Sequence, residues 1–137
     1  MVASAGVLEA EIILVTDKNY GKDKWVYLDV GRYNGLAETE GEAIKYKIKV
    51  KGYYKYKTNR YILAGPSCDS HDILYEKFLY ELPQNLKIGD RVRIFSAGAY
   101  TTAYQSNFNG IKRIKETFIE WALYSFFIKL GAIKEDT

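Results

Sequence analysis

Residues 43–50 read AIKYKIKV, a stretch in which apolar and charged residues alternate almost without interruption. The apolar face comprises Ile44, Tyr46, Ile48 and Val50, and the charged face comprises Lys45, Lys47 and Lys49. Successive side chains of a β-strand point to opposite faces, so this period of two predicts a strand with one buried and one solvated face. The stretch therefore favours a β fold over a helical one.

Similar runs on both sides of this stretch predict further strands. Residues 7–16, VLEAEIILVT, and residues 25–31, WVYLDVG, are rich in β-branched and aromatic side chains. Residues 52–63, GYYKYKTNRYIL, are predicted to be the antiparallel neighbour of the first strand. Gly31 and Gly35 bracket a short segment in which the backbone is expected to bend. Aromatic residues make up 15% of the chain, an excess that suits pleated sheets, so the fold is predicted to be mainly β.

The length and composition describe one ordinary domain. A chain of 137 residues can bury its own hydrophobic core, and 47% hydrophobic residues exclude a disordered chain. A single cysteine excludes an intrachain disulfide, and the first residues lack the pattern of a signal peptide, so a cytoplasmic protein is expected. The most apolar segment, residues 121–130, is shorter than the roughly 20 residues that cross a bilayer, so no membrane partner is expected.

The remaining segments predict loops and two helical elements. Residues 65–83 begin with a Gly-Pro turn, after which Ser70 and Asp72 can cap the start of a short helical turn. Residues 96–110 have the composition of a loop, where binding and catalytic residues concentrate. The apolar spacing from Lys112 to Lys129 is compatible with a C-terminal helix.

Reactive residue types are scarce. The single histidine excludes most hydrolase triads and nearly all zinc sites, because zinc sites use several Cys or His ligands, and no metal is expected. Cys68 and His71 can form a thiolate–imidazolium pair only if a turn brings them together, and a solvent-facing loop histidine is favoured. The strands rich in lysine and tyrosine are also typical of an RNA-binding sheet. A solvated face whose lysines guard a sheet edge is favoured over that interpretation, so no nucleic-acid partner is expected.

Longer strings resemble those of a known family. Residues 65–110, GPSCDSHDILYEKFLYELPQNLKIGDRVRIFSAGAYTTAYQSNFNG, resemble the C-terminal half of the pyridoxal-phosphate-dependent decarboxylases of the ornithine decarboxylase family. VASAG at residues 2–6 and WVYLDVGRYNGLAET at residues 25–39 are similar to the bacterial ornithine/lysine branch, in the same order. Gly-Pro-Ser-Cys-Asp combined with Gly-Ala-Tyr-Thr is highly specific, so the chain is identified as a member of this family.

The resemblance implies a fold and a set of roles. Members join a barrel that holds pyridoxal 5'-phosphate to a Greek-key β-barrel or sandwich domain like the C-terminal domain of alanine racemase. They form head-to-tail dimers in which each active site takes residues from the other subunit's β domain. By the resemblance, Cys68 supplies a proton to the substrate carbon after carbon dioxide leaves, and Asp69 meets the distal ammonium of the substrate. Tyr100 hydrogen-bonds the cofactor phosphate, and Phe108 lies near the subunit interface.

The residue types alone leave other roles open. Cys68 can instead be a small buried apolar residue, Asp69 an Asx-turn former and Tyr100 a sheet aromatic. The chemistry nevertheless agrees with the inherited roles, because a carboxylate recognises an amine through charge-assisted hydrogen bonds and a thiol can deliver a proton.

The sequence also departs from the family. The cofactor barrel, with its cofactor-holding lysine, is not among these 137 residues, so the chain is expected to be inactive alone. Many members carry an acidic residue before the glycine of the upstream motif, whereas here Val30 precedes that glycine and Asp29 is expected on the opposite face. The substrate therefore stays open among ornithine, lysine and other basic amino acids. Residues 1–111 are predicted to form the β domain, and residues 112–137 a helical extension packed on it or on a partner.

Two functions follow, with a third less favoured. The leading expectation is the C-terminal domain of an ornithine/lysine-type decarboxylase of polyamine biosynthesis, which yields putrescine. It completes the active site of a barrel domain or subunit within a homo- or hetero-oligomer. The alternative is a non-catalytic regulatory relative that binds a full decarboxylase. An RNA-binding module predicts strongly salt-dependent affinity and is the least favoured.

Overall fold

The computed structural model describes residues 3–119, and β-strands provide most of the regular structure in that range. The strands are β1 (Val7–Lys18), β2 (Asp23–Leu28), β3 (Ile48–Val50), β4 (Thr58–Ala64), β5 (Ile73–Pro83) and β6 (Arg91–Phe95). Short 3₁₀ helices lie at Ala3–Ala5, Ala37–Glu42 and Phe108–Gly110. The prediction of a mainly β fold is confirmed. Within the described range, no helix has the length and apolarity needed to cross a membrane.

The strands form one curled sheet in the order β3-β6-β1-β2-β4-β5. All neighbours are antiparallel except β2 and β4, which run parallel. β1 joins the two halves, because residues 7–11 pair with β6 and the residues from Ile12 onward pair with β2. The register shifts between Ile12 and Leu14, where Asp29 Oδ1 accepts the Glu11 N–H at 2.8 Å. This irregularity bends β1 and lets the sheet curl into a half-barrel.

The apolar faces of the strands meet in one hydrophobic core. Its most deeply buried strand residues are Ile12, Val26, Leu28, Leu63, Leu74, Tyr75, Val92 and Ile94. Burial of a large apolar side chain contributes about 1.5–3 kcal/mol, so this core holds the sheet in its curled form. The alternation predicted from residues 43–50 is confirmed for Tyr46, Ile48 and Val50, which are buried, whereas Ile44 is 43% exposed.

The strand predicted over residues 43–50 is shorter than its pattern indicates, and its predicted partner is wrong. Only Ile48–Val50 forms a strand, and it pairs with β6 rather than with residues 52–63. Half of that second run, residues 58–63, belongs to β4, which lies between β2 and β5 at the other end of the sheet. The reason is that the edge of β3 opposite β6 is occupied by side chains of β5.

Two tyrosines of β5 bridge the two edge strands. The Tyr75 hydroxyl accepts the Tyr46 N–H at 2.8 Å and donates to the Ile44 carbonyl at 2.8 Å. The Tyr80 hydroxyl accepts the Ile48 N–H at 2.9 Å and donates to the Tyr46 carbonyl at 2.6 Å. Side-chain hydroxyls therefore satisfy the backbone groups that an edge strand would otherwise expose.

The helical turn predicted after Gly-Pro-Ser-Cys-Asp is a single turn rather than a helix. The Asp72 N–H donates to the Asp69 carbonyl at 3.0 Å. Asp69, not Ser70, supplies the side-chain cap, because its Oδ1 accepts the His71 N–H at 2.8 Å. The turn ends there because Ile73 already begins β5.

The predicted C-terminal helix has no counterpart in residues 112–119, which form no regular element. The Ile114 N–H donates to Gln105 Oε1 at 2.7 Å, and the Ile114 side chain packs against the core. This contact with a preceding loop replaces the local hydrogen bonds of a helix. The rest of the predicted helix lies outside the described residues.

Candidate active site

Residues 31–36 contact each of the loops that carry a predicted site residue. The first contact is made at Gly31, where a Cβ would come within 2.1 Å of Asp72 Oδ1. The second is made at Gly35, whose φ is +113° and where a Cβ would lie 2.6 Å from the Thr101 carbonyl oxygen. The bend expected between these glycines is confirmed, and both positions admit only glycine because of close approach or positive φ.

Asp72 holds the loop of residues 65–72 in shape. Its carboxylate is 1% exposed and accepts hydrogen bonds from the Arg32 N–H at 2.9 Å and from the Ser67 N–H at 3.1 Å. The Ser67 hydroxyl donates to it at 2.6 Å. A Cβ at Gly65 would lie 2.4 Å from Asp72 Oδ1, so the carboxylate fills the space between two glycines. Three donors offset the cost of burying this group.

Cys68 lies at the exposed tip of that loop. Its φ is +61°, a left-handed conformation that costs a non-glycine residue about 1–2 kcal/mol. The thiol Sγ lies 4.0 Å from the Pro66 carbonyl oxygen. The interpretation of Cys68 as a small buried residue is therefore wrong, because its side chain is presented to solvent.

The two oxygens of the Asp69 carboxylate have different surroundings. Oδ1 accepts the His71 N–H at 2.8 Å and the Tyr33 hydroxyl at 3.1 Å, and the His71 Nδ1 atom lies 3.3 Å away. No donor among residues 3–119 hydrogen-bonds Oδ2. The hydrogen bond from the His71 backbone, aided by the Tyr33 hydroxyl, lowers the pKa of the Asp69 carboxyl. Asp69 forms an Asx turn and also offers a charged, open oxygen.

Tyr33 brings Phe108 to the same place. The two rings stack with centroids 4.1 Å apart and an interplanar angle of 20°. Asn109 Nδ2 donates to the Ser67 carbonyl at 2.8 Å, which ties the Phe-Asn-Gly turn to the loop of residues 65–72. Burial, and then the hydrogen bond to Asp69, raise the pKa of the Tyr33 phenol, so Tyr33 acts as a neutral donor.

Tyr100 is connected to this group only through its neighbour. Thr101 packs against Gly35, whereas Tyr100 itself is 52% exposed and its ring lies 5.8 Å from the ring of Tyr104. Within the described part of the chain, no hydrogen bond or ring contact joins Tyr100 to Cys68, Asp69 or Phe108. Its alternative interpretation as a sheet aromatic is wrong, because it lies in a turn.

His71 pairs with Asp69 and not with Cys68. Its side chain is 81% exposed, as expected for a loop histidine. Together with Arg32, Tyr33, Ala37 and Glu40, it lines a cavity of about 240 Å³. No cluster of His, Cys, Asp and Glu residues within residues 3–119 has the arrangement of a metal site.

Asp29 and Val30 lie on opposite faces, as the alternation predicts. Val30 is 3% exposed and belongs to the core. Asp29 is exposed, and its carboxylate accepts a hydrogen bond from the Glu11 N–H of β1. Asp29 therefore does not replace the acidic residue that many members of the family carry before the glycine.

The sequence interpretation did not identify Tyr33 or Ser67 as site residues, and it assigned Asp72 only a capping role. Tyr33 and Asp69 are separated by 36 positions, so no local pattern connects them. One signal was available: two glycines around a tyrosine indicate a backbone that other loops approach closely.

Known relatives share both the motifs and the sheet. A family model described as pyridoxal-dependent decarboxylase, C-terminal sheet domain, matches residues 2–98. A lysine/ornithine decarboxylase of Selenomonas ruminantium is 32% identical over 97 residues, which cover 71% of this chain and 23% of the relative. A diaminopimelate decarboxylase of Buchnera aphidicola subsp. Schizaphis graminum is 28% identical over 130 residues, which cover 88% and 30% of the two chains.

Solved structures agree. A lysine/ornithine decarboxylase complexed with cadaverine from Vibrio vulnificus has a TM-score of 0.70 and 29% identity, with 82% of this chain and 29% of that chain covered. SrLDC in complex with PLP and cadaverine has a TM-score of 0.71 and 26% identity, with 94% and 32% covered. The chain thus spans between 23% and 32% of these relatives. From the match over residues 2–98 and the shared sheet, we conclude that the chain belongs to the pyridoxal-dependent decarboxylases and contains their C-terminal sheet domain.

Proposed function

We propose that the chain completes the active site of a pyridoxal-phosphate-dependent decarboxylase of basic amino acids, of the lysine/ornithine type, together with a cofactor-binding barrel. The supporting observation is the Asp69 carboxylate, which has one oxygen held by two donors and a side chain that is 32% exposed, one position after the exposed Cys68. The Vibrio vulnificus relative was solved with cadaverine, a diamine whose ammonium groups are suited to such a carboxylate.

Asp69 binds the distal ammonium of the substrate. The lowered pKa keeps the carboxylate ionised, so it attracts a positive charge at neutral pH. Tyr33 and the His71 backbone hold Oδ1, which restricts the rotation of the carboxylate. Such preorganisation lowers the entropic cost of binding.

Cys68 supplies the proton that the reaction requires. Decarboxylation replaces a bond between carbon and a carboxylate with a bond between carbon and hydrogen, so a donor must reach that carbon. The exposed thiol at the tip of the 65–72 loop is suited to this role, and the left-handed backbone of Cys68 is typical of strained functional loops.

Tyr100 holds the cofactor phosphate. Its hydroxyl has no hydrogen-bond partner within residues 3–119, so the phenol is available as a donor to a phosphate oxygen. When bound, pyridoxal 5'-phosphate supplies the electron sink for the bond that breaks. The Schiff-base lysine of the cofactor comes from the barrel.

The proposal includes an oligomer in which a barrel packs on exposed aromatic residues of this chain. Tyr100, Tyr104 and Phe108 are 52%, 48% and 37% exposed, and aromatic side chains are enriched at interaction surfaces. We propose that a barrel domain or subunit covers them in a cytoplasmic homo- or hetero-oligomer. The expected products are diamines such as putrescine or cadaverine, formed in polyamine biosynthesis.

A regulatory relative that binds a full decarboxylase through the same surface is the second candidate. It is supported by the same exposed aromatic residues, because a binding surface needs them with or without catalysis. The two candidates differ at Cys68, because regulation requires the surface but not the thiol.

The test is reconstitution of the chain with a barrel polypeptide loaded with pyridoxal 5'-phosphate, followed by release of carbon dioxide from lysine and ornithine. Asp69→Asn should raise KM about 10-fold or more, since it removes a charge-assisted contact, and Cys68→Ala should lower kcat about 100-fold. Asp17→Asn, which removes an exposed carboxylate paired with Lys24, is the control and should change neither constant. Full activity of the Cys68→Ala complex would contradict the catalytic proposal and favour the regulatory one.

A further inference from the structure

The chain has a single histidine, and it lies against the carboxylate proposed to recognise the substrate amine. The His71 Nδ1 atom is 3.3 Å from Asp69 Oδ1, the same oxygen that accepts the Tyr33 hydroxyl and the His71 backbone N–H. The imidazole is therefore close enough to change the potential at Asp69 without occupying its open oxygen Oδ2.

Several ionisable groups face the imidazole. Arg32, Tyr33 and Glu40 line the cavity that His71 borders, and Asp72 lies buried one position further along the chain. Arg32 and Glu40 carry opposite charges, and the Asp72 carboxylate is enclosed by its own three donors. Asp69 is the carboxylate that the ring contacts directly.

We propose that His71 is a positioning residue for Asp69 whose protonation weakens recognition of the substrate ammonium, an inference that rests on the proposed decarboxylase function. In the neutral form, an N–H at Nδ1 helps to orient the carboxylate. In the protonated form, the ring adds a positive charge beside Asp69 and competes electrostatically with the ammonium for one carboxylate.

The carboxyl and phenol groups next to His71 keep their charge states near neutral pH. Histidine side chains change charge between pH 5 and 8. The pKa of Asp69 is lowered, chiefly by the His71 backbone hydrogen bond, and that of the Tyr33 phenol is raised, chiefly by burial. Asp69 therefore remains charged and Tyr33 remains neutral over that interval.

The contact is tested on the isolated chain by following the Asp69 side-chain carboxyl carbon by NMR as the pH is lowered. In His71→Gln the backbone N–H is retained and only the imidazole ring is lost. The pH at the midpoint of the Asp69 carboxyl titration should therefore rise by roughly half a unit. Ser70→Ala, a change at the adjacent exposed residue, should leave it in place. An unchanged midpoint in His71→Gln would overturn the inference, because the ring would then exert no field on the carboxylate.

The consequence for the substrate is tested in the reconstituted enzyme. As the pH falls from about 8 to about 5.5, KM for lysine or ornithine should rise roughly three- to five-fold more in the wild type than in His71→Gln, at equal kcat. If both proteins are active and their KM values change equally with pH, the inference about His71 is overturned while the proposed function stands. A wild-type complex that releases no carbon dioxide would contradict the proposed function, and the substrate part of the inference with it.

Discussion

The Asp72 carboxylate determines the local geometry of the candidate site although it does not face the surface. It lies between Gly31 and Gly65 and accepts hydrogen bonds from Arg32 and Ser67. A buried carboxylate is costly unless its lone pairs are satisfied, so these contacts are formed together or not at all. This arrangement explains why the strained backbone at Cys68 is maintained: the residues on either side of the tip are fixed.

Gly31→Ala should destabilise the domain by about 2–4 kcal/mol, because the new methyl group overlaps the Asp72 carboxylate and forces it away from its donors. The free energy of unfolding in urea measures the effect. Gly41→Ala is the control, since nothing lies within 4 Å of that position and only its φ of +61° opposes the substitution, at about 1 kcal/mol. Equal losses for the two variants would argue against the packing role of Asp72.

The edge strands β3 and β5 are protected by side chains. Tyr75 and Tyr80 bond the backbone of residues 44–48, as described above. The other edge strand, β5, is protected by Glu42. Its carboxylate accepts hydrogen bonds from the backbone N–H groups of Glu76, Lys77 and Phe78 at 3.3, 3.0 and 2.8 Å. Free edges promote pairing between molecules, so these contacts favour a monomeric sheet over aggregation.

Tyr80→Phe should cost about 1–3 kcal/mol, because it leaves the Ile48 N–H and the Tyr46 carbonyl without their partner. Chemical denaturation measures the loss, and light scattering should show increased self-association through the opened edge. Tyr56→Phe is the matched control, because Tyr56 is 48% exposed and its hydroxyl bridges no strands. A loss no larger than that of the control would contradict the bridging role.

Alkaline pH should weaken the same region. Burial, with the hydrogen bond to Glu38, raises the pKa of Tyr46 from 10.0 to about 12, so the folded state favours the neutral phenol. The stability from this group is complete below about pH 10 and is lost as the pH rises through about 12. The difference in melting temperature between wild type and Tyr46→Phe should therefore shrink over this interval, and a constant difference would contradict the shifted titration.

At the scale of the whole molecule, the proposed site residues are open to solvent within the part of the chain that the structure describes. Cys68, Tyr100 and Phe108 are all exposed in the isolated chain. A site that is preorganised yet open needs a second surface to exclude water, since catalysis by proton transfer and charge recognition is strongest in an enclosed site. The fold thus supports a shared active site.

Thiol labelling tests this arrangement. The chain has one cysteine, so a maleimide should modify one thiol per free chain. In the complex with the cofactor-loaded barrel, labelling should slow about 10-fold or more if the barrel covers the 65–72 loop as proposed. Equal labelling rates in the free chain and in the complex would show that the barrel binds elsewhere.

The β class, the buried face of residues 43–50 and the family can all be predicted from the amino-acid pattern alone. A period of two depends only on the local backbone, so it predicts which side chains face inward whichever strand lies beside them. The motifs around Cys68 and Tyr100 identified the family because they are specific as strings. The opposite faces of Asp29 and Val30 followed from the same alternation.

The pairing of the strands and the side-chain contacts between loops follow only from the tertiary structure. Whether β3 pairs with β4 or β6 depends on chain closure over long separations, and the two tyrosines that occupy its free edge lie about 30 residues away. The His71 imidazole faces Asp69 rather than Cys68, because an Asx turn sets the direction of the loop. The Tyr33–Phe108 stack joins residues from different loops. Such contacts arise from packing of distant segments, which no local pattern encodes.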